Sequence, residues 1–215
     1  SASSHTYPVH VGKGLLKQLK KLIERAGATD QRFIVSSRPV WQLHGTTVKQ
    51  SLPQTQHLLI PDGERSKTVQ SVSRIYETLI RTTADRSVTI IAVGGGVIGD
   101  VVGFAAATYL RGVKLVHVPT TLLAQVDSSI GGKVGVNHPL GKNLIGSFHQ
   151  PIAVVSDPQV LNTLPRREFR SGLYEIIKYG MIADQTLFDR VRTNLSEIFD
   201  RSPKVLEQII VRSIC

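Results

Sequence analysis

Apolar and polar residues alternate in two different ways along the chain up to about residue 157. Short β-branched or apolar runs between turn residues predict five strands, at residues 33–36, 58–60, 88–93, 115–118 and 152–155. Between these runs, apolar residues at helical spacing predict three helices, at residues 15–25, 69–82 and 99–110. Strands that alternate with helices of this length predict an α/β fold with a parallel sheet covered on both faces.

The pattern becomes entirely helical after residue 157, and no strand candidate follows Val155. Three more helices are predicted at residues 166–181, 185–199 and 203–215, the last with Ser202 as its cap and Pro203 as its first residue. We therefore predict an α/β domain at residues 1–157 and the beginning of a helical domain at residues 158–215. The apolar stripe of the last helix continues without a stop signal, so we expect this second domain to be incomplete.

Composition narrows the class of protein. Hydrophobic residues make up 41% of the chain and charged residues 20%, which is typical of a soluble globular protein. The apolar runs are much shorter than the roughly 20 residues that a membrane-spanning helix needs, and the first residues do not resemble a signal peptide. The lone cysteine, Cys215, is typical of a reducing compartment. We expect a cytoplasmic protein without a membrane partner.

The formal charge of +10 permits nucleic-acid binding but does not by itself indicate it. Lysine and arginine are spread along the chain, only 6% of the residues are aromatic, and no nucleic-acid-binding motif is present. A basic pocket also favours anionic small molecules. We therefore expect a small anionic ligand and no nucleic acid.

A glycine-rich turn follows the predicted strand at residues 88–93. Gly94, Gly96 and Gly99 match the spacing that lets a backbone approach a pyrophosphate at a helix N-terminus. The motif alone is weak, because it follows a late strand and no acidic residue ends the next strand. The alternative interpretation is a tight strand–helix turn that serves packing only.

Polar loops also follow the strand before the glycine turn and the strand after it, at residues 61–67 and 119–121. In a parallel sheet these two loops and the glycine turn converge at the carboxyl ends of the strands, where open α/β sheets bind ligands. Two further segments, 126–137 and 141–148, are rich in glycine and contain two lysines. Lysines suit anionic groups, whereas Asp127, Asn137 and Asn143 suit a polyhydroxylated substrate. We expect these segments to lack a hydrophobic face, which favours a binding role over a purely structural one. A solvated glycine hairpin is the alternative.

Six of these segments, in order between Asp62 and Gly180, resemble the 3-dehydroquinate synthase family: PDGE-x-x-K, GGGVIGD, VPTTLL, VDSS-x-GGK-x-GVN, GKN-x-IG and GL-x-E-x-IKYG. Related sugar-phosphate cyclases share the glycine turn and GKN. The resemblance implies an N-terminal Rossmann-like domain that binds NAD, and a C-terminal helical domain that carries metal and substrate groups. It also implies a homodimer that converts 3-deoxy-D-arabino-heptulosonate 7-phosphate, a sugar phosphate, into 3-dehydroquinate and phosphate.

The resemblance further implies roles for individual residues. NAD contacts are expected at Asp62, Gly63, Glu64, Lys67, Gly95, Gly96, Asp100, Thr120, Thr121, Lys133, Lys142 and Thr163. Substrate or catalytic contacts are expected at Asp127, Lys133, Asn143 and Lys178, and at Arg111, which resembles a phosphate-binding arginine that reaches the neighbouring subunit. Ser36 and Ser37 depart from the family, whose members often carry Asp or Asn there.

The catalytic metal of the family is zinc or cobalt, and Glu175 corresponds to its first ligand. The family takes two further histidine ligands from a later helical region, whereas all seven histidines of this chain precede Glu175. We therefore expect the 215-residue polypeptide to be inactive by itself. Two alternatives stay open: an NAD-binding module or subunit completed by another chain, and a related cyclase with a different sugar phosphate.

Overall fold

A sheet of six parallel strands forms the centre of the computed structural model, which describes residues 6–215. A separate antiparallel hairpin, β6–β7, lies outside this sheet. The sheet order is β1-β8-β5-β4-β2-β3. The strands, numbered along the chain, are β1 (Val9–Val11), β2 (Arg32–Ser37), β3 (Gln56–Ile60), β4 (Thr89–Gly94), β5 (Lys114–Pro119), β6 (Lys133–His138), β7 (Gly141–Phe148) and β8 (Ala153–Ser156).

Four helices accompany the strands and four follow the last of them. They are α1 (Leu19–Arg25), α2 (Arg38–Ser51), α3 (Val69–Arg81), α4 (Gly96–Thr108), α5 (Arg166–Ile182), α6 (Gln185–Thr193), α7 (Leu195–Phe199) and α8 (Pro203–Ile214). Among residues 6–215, none of the helices has the length and apolar character that crossing a membrane requires. The predicted α/β class with a parallel, Rossmann-like sheet is therefore confirmed.

All five predicted strands are present, but α2, β1 and the two hairpin strands, β6 and β7, were not predicted. Helix α2 has a thin apolar face, and its Gly45, Thr46 and Thr47 have weak helix propensity, so no helical period stands out. The predicted helix at 185–199 is interrupted at Asn194, whose side chain donates a 2.7 Å hydrogen bond to Arg190 O. Ser202 precedes α8 as expected, but its side chain makes no capping hydrogen bond.

The glycine-rich segment after residue 128 does have a hydrophobic face, contrary to expectation. Val134 and Val136 are buried in β6, which packs on α4. A Cβ at Gly135 would lie 2.6 Å from Ile145 O, and one at Gly146 would lie 2.6 Å from Val134 O. These glycines therefore allow two strands to approach closely in an ordered hairpin.

Alternating strand residues place two hydrophobic cores on opposite faces of the sheet. One core contains Phe33, Val35 and Ile90 and is covered by α3 and α4. The other contains Ile34 and Ile91 together with residues of the last helices, among them Phe169, Ile176 and Ile209. Residues after 157 thus share a core with one face of the sheet, and the division into domains at residue 157 stays a prediction.

Candidate active site at the carboxyl edge of the sheet

The loops after β3, β4 and β5 meet at the carboxyl edge, where the parallel strands end. Thr120 N donates a 2.9 Å hydrogen bond to Gly94 O, which joins the loops after β5 and β4. Ser37 Oγ donates to Asp62 Oδ2 at 3.3 Å, which joins the ends of β2 and β3. The structure therefore brings together the three loops that the sequence predicts to converge.

The glycine turn leaves the N-terminus of α4 open. Gly95 is the N-cap residue, and no side chain caps the helix. A Cβ at Gly95 would lie 2.9 Å from Thr121 Cγ2, and one at Gly96 would lie 3.0 Å from Ser128 Oγ. Ser128 Oγ is buried without a hydrogen-bond partner among the described residues. Free N–H groups, an unused hydroxyl and the positive end of a helix fit a phosphate of a dinucleotide.

The two threonines that follow β5 have different surroundings. Thr120 is buried, and its backbone is held by Gly94. Thr121 Oγ1 accepts a 3.2 Å hydrogen bond from Ala124 N, so it caps the short helical turn at residues 122–128. That turn includes a π-helical segment, Ala124–Ser128, which carries Asp127. The turn after β5 therefore connects the glycine turn to a predicted substrate residue.

A cavity of about 680 Å³ lies beside these loops. Lys67, Asp100, Asp127, Lys133 and Asn143 line it, together with Ser128 and residues of β6 and β7. Asp127 and Lys133 are exposed to solvent there. Five of the predicted cofactor and substrate residues thus share one cavity, which is called the carboxyl-edge cavity here.

Lys67 is the most constrained charge in the cavity. It is only 7% exposed, and its Nζ lies 2.5 Å from Asp100 Oδ2 and 2.5 Å from Asn143 Oδ1. Burial raises the pKa of the Asp100 carboxyl above its usual range, and the Lys67 ammonium opposes that shift. Because both charged groups are paired before any ligand arrives, the site is electrostatically organised in advance.

The loop at 62–67 is held by its own turn and by the hairpin. Gly63 has a φ of +87°, which favours glycine, and its N–H donates to Asp62 Oδ1 at 2.8 Å. Glu64 Oε1 accepts from Asn137 Nδ2 at 2.7 Å. Asn137 was expected to suit a substrate, but its side chain is occupied by the protein. Lys142 is exposed in β7 and does not line the cavity.

Helix α5 places a further carboxylate, that of Glu175, near Asp127. Glu175 forms an ion pair with Lys178, one helical turn later. Burial raises the pKa of Tyr179, and hydrogen bonds to Glu175 and to Asp127 raise it further. Tyr179 was missed in the sequence, although it stands in the IKYG motif beside Lys178. Tyr179 therefore lies near both the predicted metal ligand, Glu175, and a residue that lines the cavity, Asp127.

Two predicted residues lie outside this cluster. The Thr163 hydroxyl is 3.1 Å from His44 Nε2, on α2, and donates to Val160 O at 2.9 Å. Arg111 is exposed at the end of a short turn, and both Leu110 and Arg111 have a positive φ, of 48° and 70°. Neither Thr163 nor Arg111 lines the carboxyl-edge cavity.

The residues described by the structure do not complete a metal site. Over residues 6–215, no group of three or more histidine, cysteine, aspartate or glutamate side chains is placed to hold a metal ion. The Glu175 carboxylate forms an ion pair with Lys178 instead. Glu175 therefore offers at most one ligand within this part of the chain.

Sequence comparison assigns both parts of the chain. The model described as 3-dehydroquinate synthase N-terminal matches residues 57–171, and the model described as 3-dehydroquinate synthase C-terminal matches residues 172–215. The chain is 47% identical over 208 residues to 3-dehydroquinate synthase of Halorhodospira halophila, covering 97% of this chain and 58% of that protein. It is 44% identical over 212 residues to the Symbiobacterium thermophilum synthase, covering 96% and 59%.

Solved structures agree with this assignment. The 2-epi-5-epi-valiolone synthase of Streptomyces hygroscopicus, solved with NAD+ and Zn2+, has a TM-score of 0.88 and 31% identity, covering 100% of this chain and 61% of that chain. A 2-deoxy-scyllo-inosose synthase complexed with carbaglucose-6-phosphate, NAD+ and Co2+ has a TM-score of 0.87 and 31% identity, covering 98% and 59%. The chain spans about 58–59% of the length of its curated relatives. On these matches and on the motifs around the cavity, the chain belongs to the 3-dehydroquinate synthase family.

Proposed function

We propose that this chain supplies the NAD-binding part and much of the substrate-binding part of a 3-dehydroquinate synthase. The complete protein then converts 3-deoxy-D-arabino-heptulosonate 7-phosphate into 3-dehydroquinate and phosphate. The observation that carries the proposal is the buried Lys67, shared by Asp100 and Asn143 next to an open glycine turn. A prearranged cation beside a free helix N-terminus suits two anionic ligands, a dinucleotide and a sugar phosphate.

NAD binds, in this proposal, across the carboxyl ends of β3, β4 and β5. The N–H groups that begin α4 at Gly95 and Gly96 receive the pyrophosphate, and Ser128 Oγ offers an unused hydroxyl beside them. The remaining NAD contacts are Asp62, Gly63, Glu64, Lys67, Asp100, Thr120, Thr121, Lys133, Lys142 and Thr163. Bound NAD supplies a reversible hydride acceptor for one hydroxyl of the substrate.

The sugar phosphate occupies the carboxyl-edge cavity. Lys133 is exposed there and neutralises an anionic group of the substrate, with Lys178 as a second cation on α5. Asn143 presents an amide whose orientation is fixed by Lys67, and Asp127 accepts hydrogen bonds from substrate hydroxyls. Burial and the nearby carboxylates of Glu175 and Asp127 raise the pKa of Tyr179, so its hydroxyl stays protonated at neutral pH.

We propose a metal site only for a polypeptide that supplies further ligands in addition to Glu175. The relatives solved with Zn2+ or Co2+ are longer than this chain, and Glu175 alone is too weak a zinc site. We propose that the 215-residue polypeptide alone does not turn over.

A homodimer and a cytoplasmic location complete the proposal. Arg111 supports the first, because an exposed arginine in a left-handed backbone conformation is held where a neighbouring subunit can use it. The single cysteine, Cys215, supports the second. Analytical ultracentrifugation of the wild-type chain and of Arg111→Ala would measure whether a dimer forms and whether a subunit still associates without this side chain.

A phosphate-release assay tests the activity directly. NAD and zinc are supplied to the 215-residue polypeptide and to a fusion that adds the remaining C-terminal segment of the Halorhodospira halophila relative. We expect phosphate from the heptulosonate phosphate with the fusion and none with the chain alone. Turnover by the chain alone would refute the claim of inactivity. A well-folded fusion without turnover would refute the proposed reaction.

A related cyclase activity is the second candidate, because the solved relatives named above are synthases of other cyclitols. The higher identity of 47% to a 3-dehydroquinate synthase, against 31% to those cyclases, favours the first candidate. Offering the fusion a hexose 6-phosphate as the competing substrate separates the two. Faster phosphate release from the hexose would reverse the preference.

A further inference from the structure

Asn137 occupies a break in the register of the β6–β7 hairpin. Val136 pairs with Ile145, and His138 pairs with Gly141, so Asn137 has no directly opposed residue. Its backbone N–H is free to leave the hairpin and donates a 2.8 Å hydrogen bond to Lys67 O. The irregularity therefore ties β6 to the loop that carries the buried lysine.

Both ends of the Asn137 side chain are used as well. Its Nδ2 donates to Glu64 Oε1 at 2.7 Å, and its Oδ1 accepts from Asn143 N at 2.9 Å. Asn143 has a φ of +57°, a conformation that costs energy unless its surroundings hold it. The hydrogen bond to Asn137 Oδ1 supplies such support at the backbone of Asn143.

The contacts form a chain that ends in the carboxyl-edge cavity. Asn137 holds Asn143 by its backbone, Asn143 Oδ1 lies 2.5 Å from Lys67 Nζ, and Lys67 Nζ lies 2.5 Å from Asp100 Oδ2. Asn137 itself does not line the cavity. Its effect on the cavity is therefore transmitted through Asn143 and Lys67.

We propose that Asn137 is a positioning residue that locks the hairpin onto the loop at 62–67 and sets the orientation of the Asn143 amide toward Lys67. This proposal rests on the proposed function, because the arrangement it protects is the proposed NAD and substrate site. The amide of Asn137 is required because one end must donate to a carboxylate while the other accepts from a backbone N–H.

A single variant and a double variant test the role of the Asn137 amide. Asn137→Asp keeps the shape and the acceptor toward Asn143, but it replaces the donor with an oxygen and places a second carboxylate against Glu64. Adding Glu64→Gln restores a donor–acceptor pair with the two roles exchanged. A residue that only filled space would show no such rescue.

The test is amide hydrogen exchange, followed by NMR on the ligand-free 215-residue chain. We expect Asn137→Asp to accelerate exchange of the backbone amides of residues 137 and 143 about tenfold, because the hydrogen bond to Glu64 is lost and two carboxylates repel each other there. Glu64→Gln added to Asn137→Asp should return both rates to within about threefold of the wild type. His138→Ala is the matched control, because the His138 side chain accepts a hydrogen bond from Leu140 N and makes none with Glu64 or Asn143 among the described residues.

Three outcomes would overturn the proposal: unchanged exchange in Asn137→Asp, a double variant that exchanges as fast as the single one, or a general loss of protection in Asn137→Asp that Glu64→Gln does not reverse. Retained slow exchange in β4 and β5 shows that a variant is folded. NAD titration of the wild-type chain is measured separately. Failure of NAD binding with normal rescue of exchange would refute the proposed function and leave the positioning role intact.

Discussion

Two cavities lie at opposite edges of the same sheet, and only one of them carries the proposed chemistry. The carboxyl-edge cavity, of about 680 Å³, contains the paired Lys67, and the open turn at Gly95 stands beside it. The other, of about 480 Å³, is lined at the amino edge by residues such as Lys20, Arg32 and Gln54, near the starts of β2 and β3. Both contain basic side chains, so charge and volume alone do not distinguish them.

The direction of the backbone does distinguish them. At the carboxyl edge, strands lead into helix N-termini, whose free N–H groups attract anions. At the amino edge, helices such as α2 and α3 end and present carbonyl groups. The Arg32 guanidinium at this edge is also already hydrogen-bonded within the protein, because it donates to Thr29 O at 2.5 Å and to Glu24 Oε1 at 2.8 Å. The direction of the strands in a parallel sheet therefore determines which of its cavities can bind a dinucleotide.

Removal of the buried cation should have the largest effect. Lys67→Met leaves the Asp100 carboxylate without its partner, which costs about 3 kcal/mol in the free energy of unfolding, the low end for a broken buried pair because Asp100 keeps some solvent contact. We also expect NAD affinity to fall about a hundredfold, that is by ~2.7 kcal/mol of binding free energy. Urea denaturation and calorimetric titration measure the two quantities.

Lys20→Met, in the amino-edge cavity, is the control for that substitution. It should leave NAD affinity unchanged and alter stability by less than about 0.5 kcal/mol, as for most surface changes. Equal losses of NAD affinity in the two variants would contradict the proposal that NAD binds at the carboxyl edge and not at the amino edge.

Acidification should lower the free energy of unfolding, because a histidine is buried in the strand next to the glycine turn. His117, on β5, is buried, and burial, with a smaller effect of the nearby His149, lowers its pKa from 6.5 to about 4. Between these pH values the unfolded chain binds a proton that the folded chain does not bind. The free energy of unfolding therefore falls as the pH drops from 6.5 to 4, by at most about 3 kcal/mol, and this contribution changes no further below pH 4.

His117→Leu removes this pH dependence, whereas His138→Ala, an exposed histidine of the hairpin, retains it. Urea denaturation at pH 7, 6, 5 and 4 provides the comparison. An identical pH profile for the wild type and His117→Leu would show that His117 is not held neutral by burial.

A substitution at the contact between α5 and the carboxyl edge should have a smaller, but still measurable, effect on stability. A Cβ at Gly172 would lie 2.5 Å from Leu123 N, a backbone atom in the turn that leads to Asp127. Gly172→Ala should therefore destabilise the fold by about 1–3 kcal/mol through overpacking. Ser171→Ala, at the exposed neighbouring position, should change stability by less than about 0.5 kcal/mol. Thermal or urea unfolding in which the two variants match would contradict this packing.

The smallest stability effect is expected for Lys178→Met. Its ion pair with Glu175 joins residues three apart on one helix, and the Lys178 side chain is half exposed. The free energy of unfolding should change by less than about 0.5 kcal/mol. A loss of more than 1 kcal/mol in urea denaturation would mean that this pair stabilises the helix instead of being available to a ligand.

The sequence predicted the parts of this molecule that have a strong local signal. Five of the six strands of the sheet stand out because each is a short apolar run between turn residues, and the loops at 62–67, 94–100 and 119–121 follow from their order. Helix α2 was missed because its helical stability comes from packing on the sheet and not from its own propensity.

The details of the site depend on contacts between distant residues, and no local pattern reports them. Asn137 was assigned to the substrate because an amide in a polar loop suits hydroxyl groups, yet it bonds to Glu64 and Asn143. Tyr179 has the helical neighbours of an ordinary surface tyrosine, and only the approach of α5 to Asp127 gives it a partner. Spacing along the chain contains no information about such pairings.

Chemical-shift mapping of the isotope-labelled chain during a titration with NAD tests the central claim most directly. If NAD binds at the carboxyl edge, we expect saturable chemical-shift changes at the amides of residues 62–67, 94–100 and 119–121. The chemical shifts of the amides at the amino edge, around residues 53–56 and 82–88, should not change. Shifts confined to the amino edge, or none at millimolar NAD in a folded chain, would contradict it.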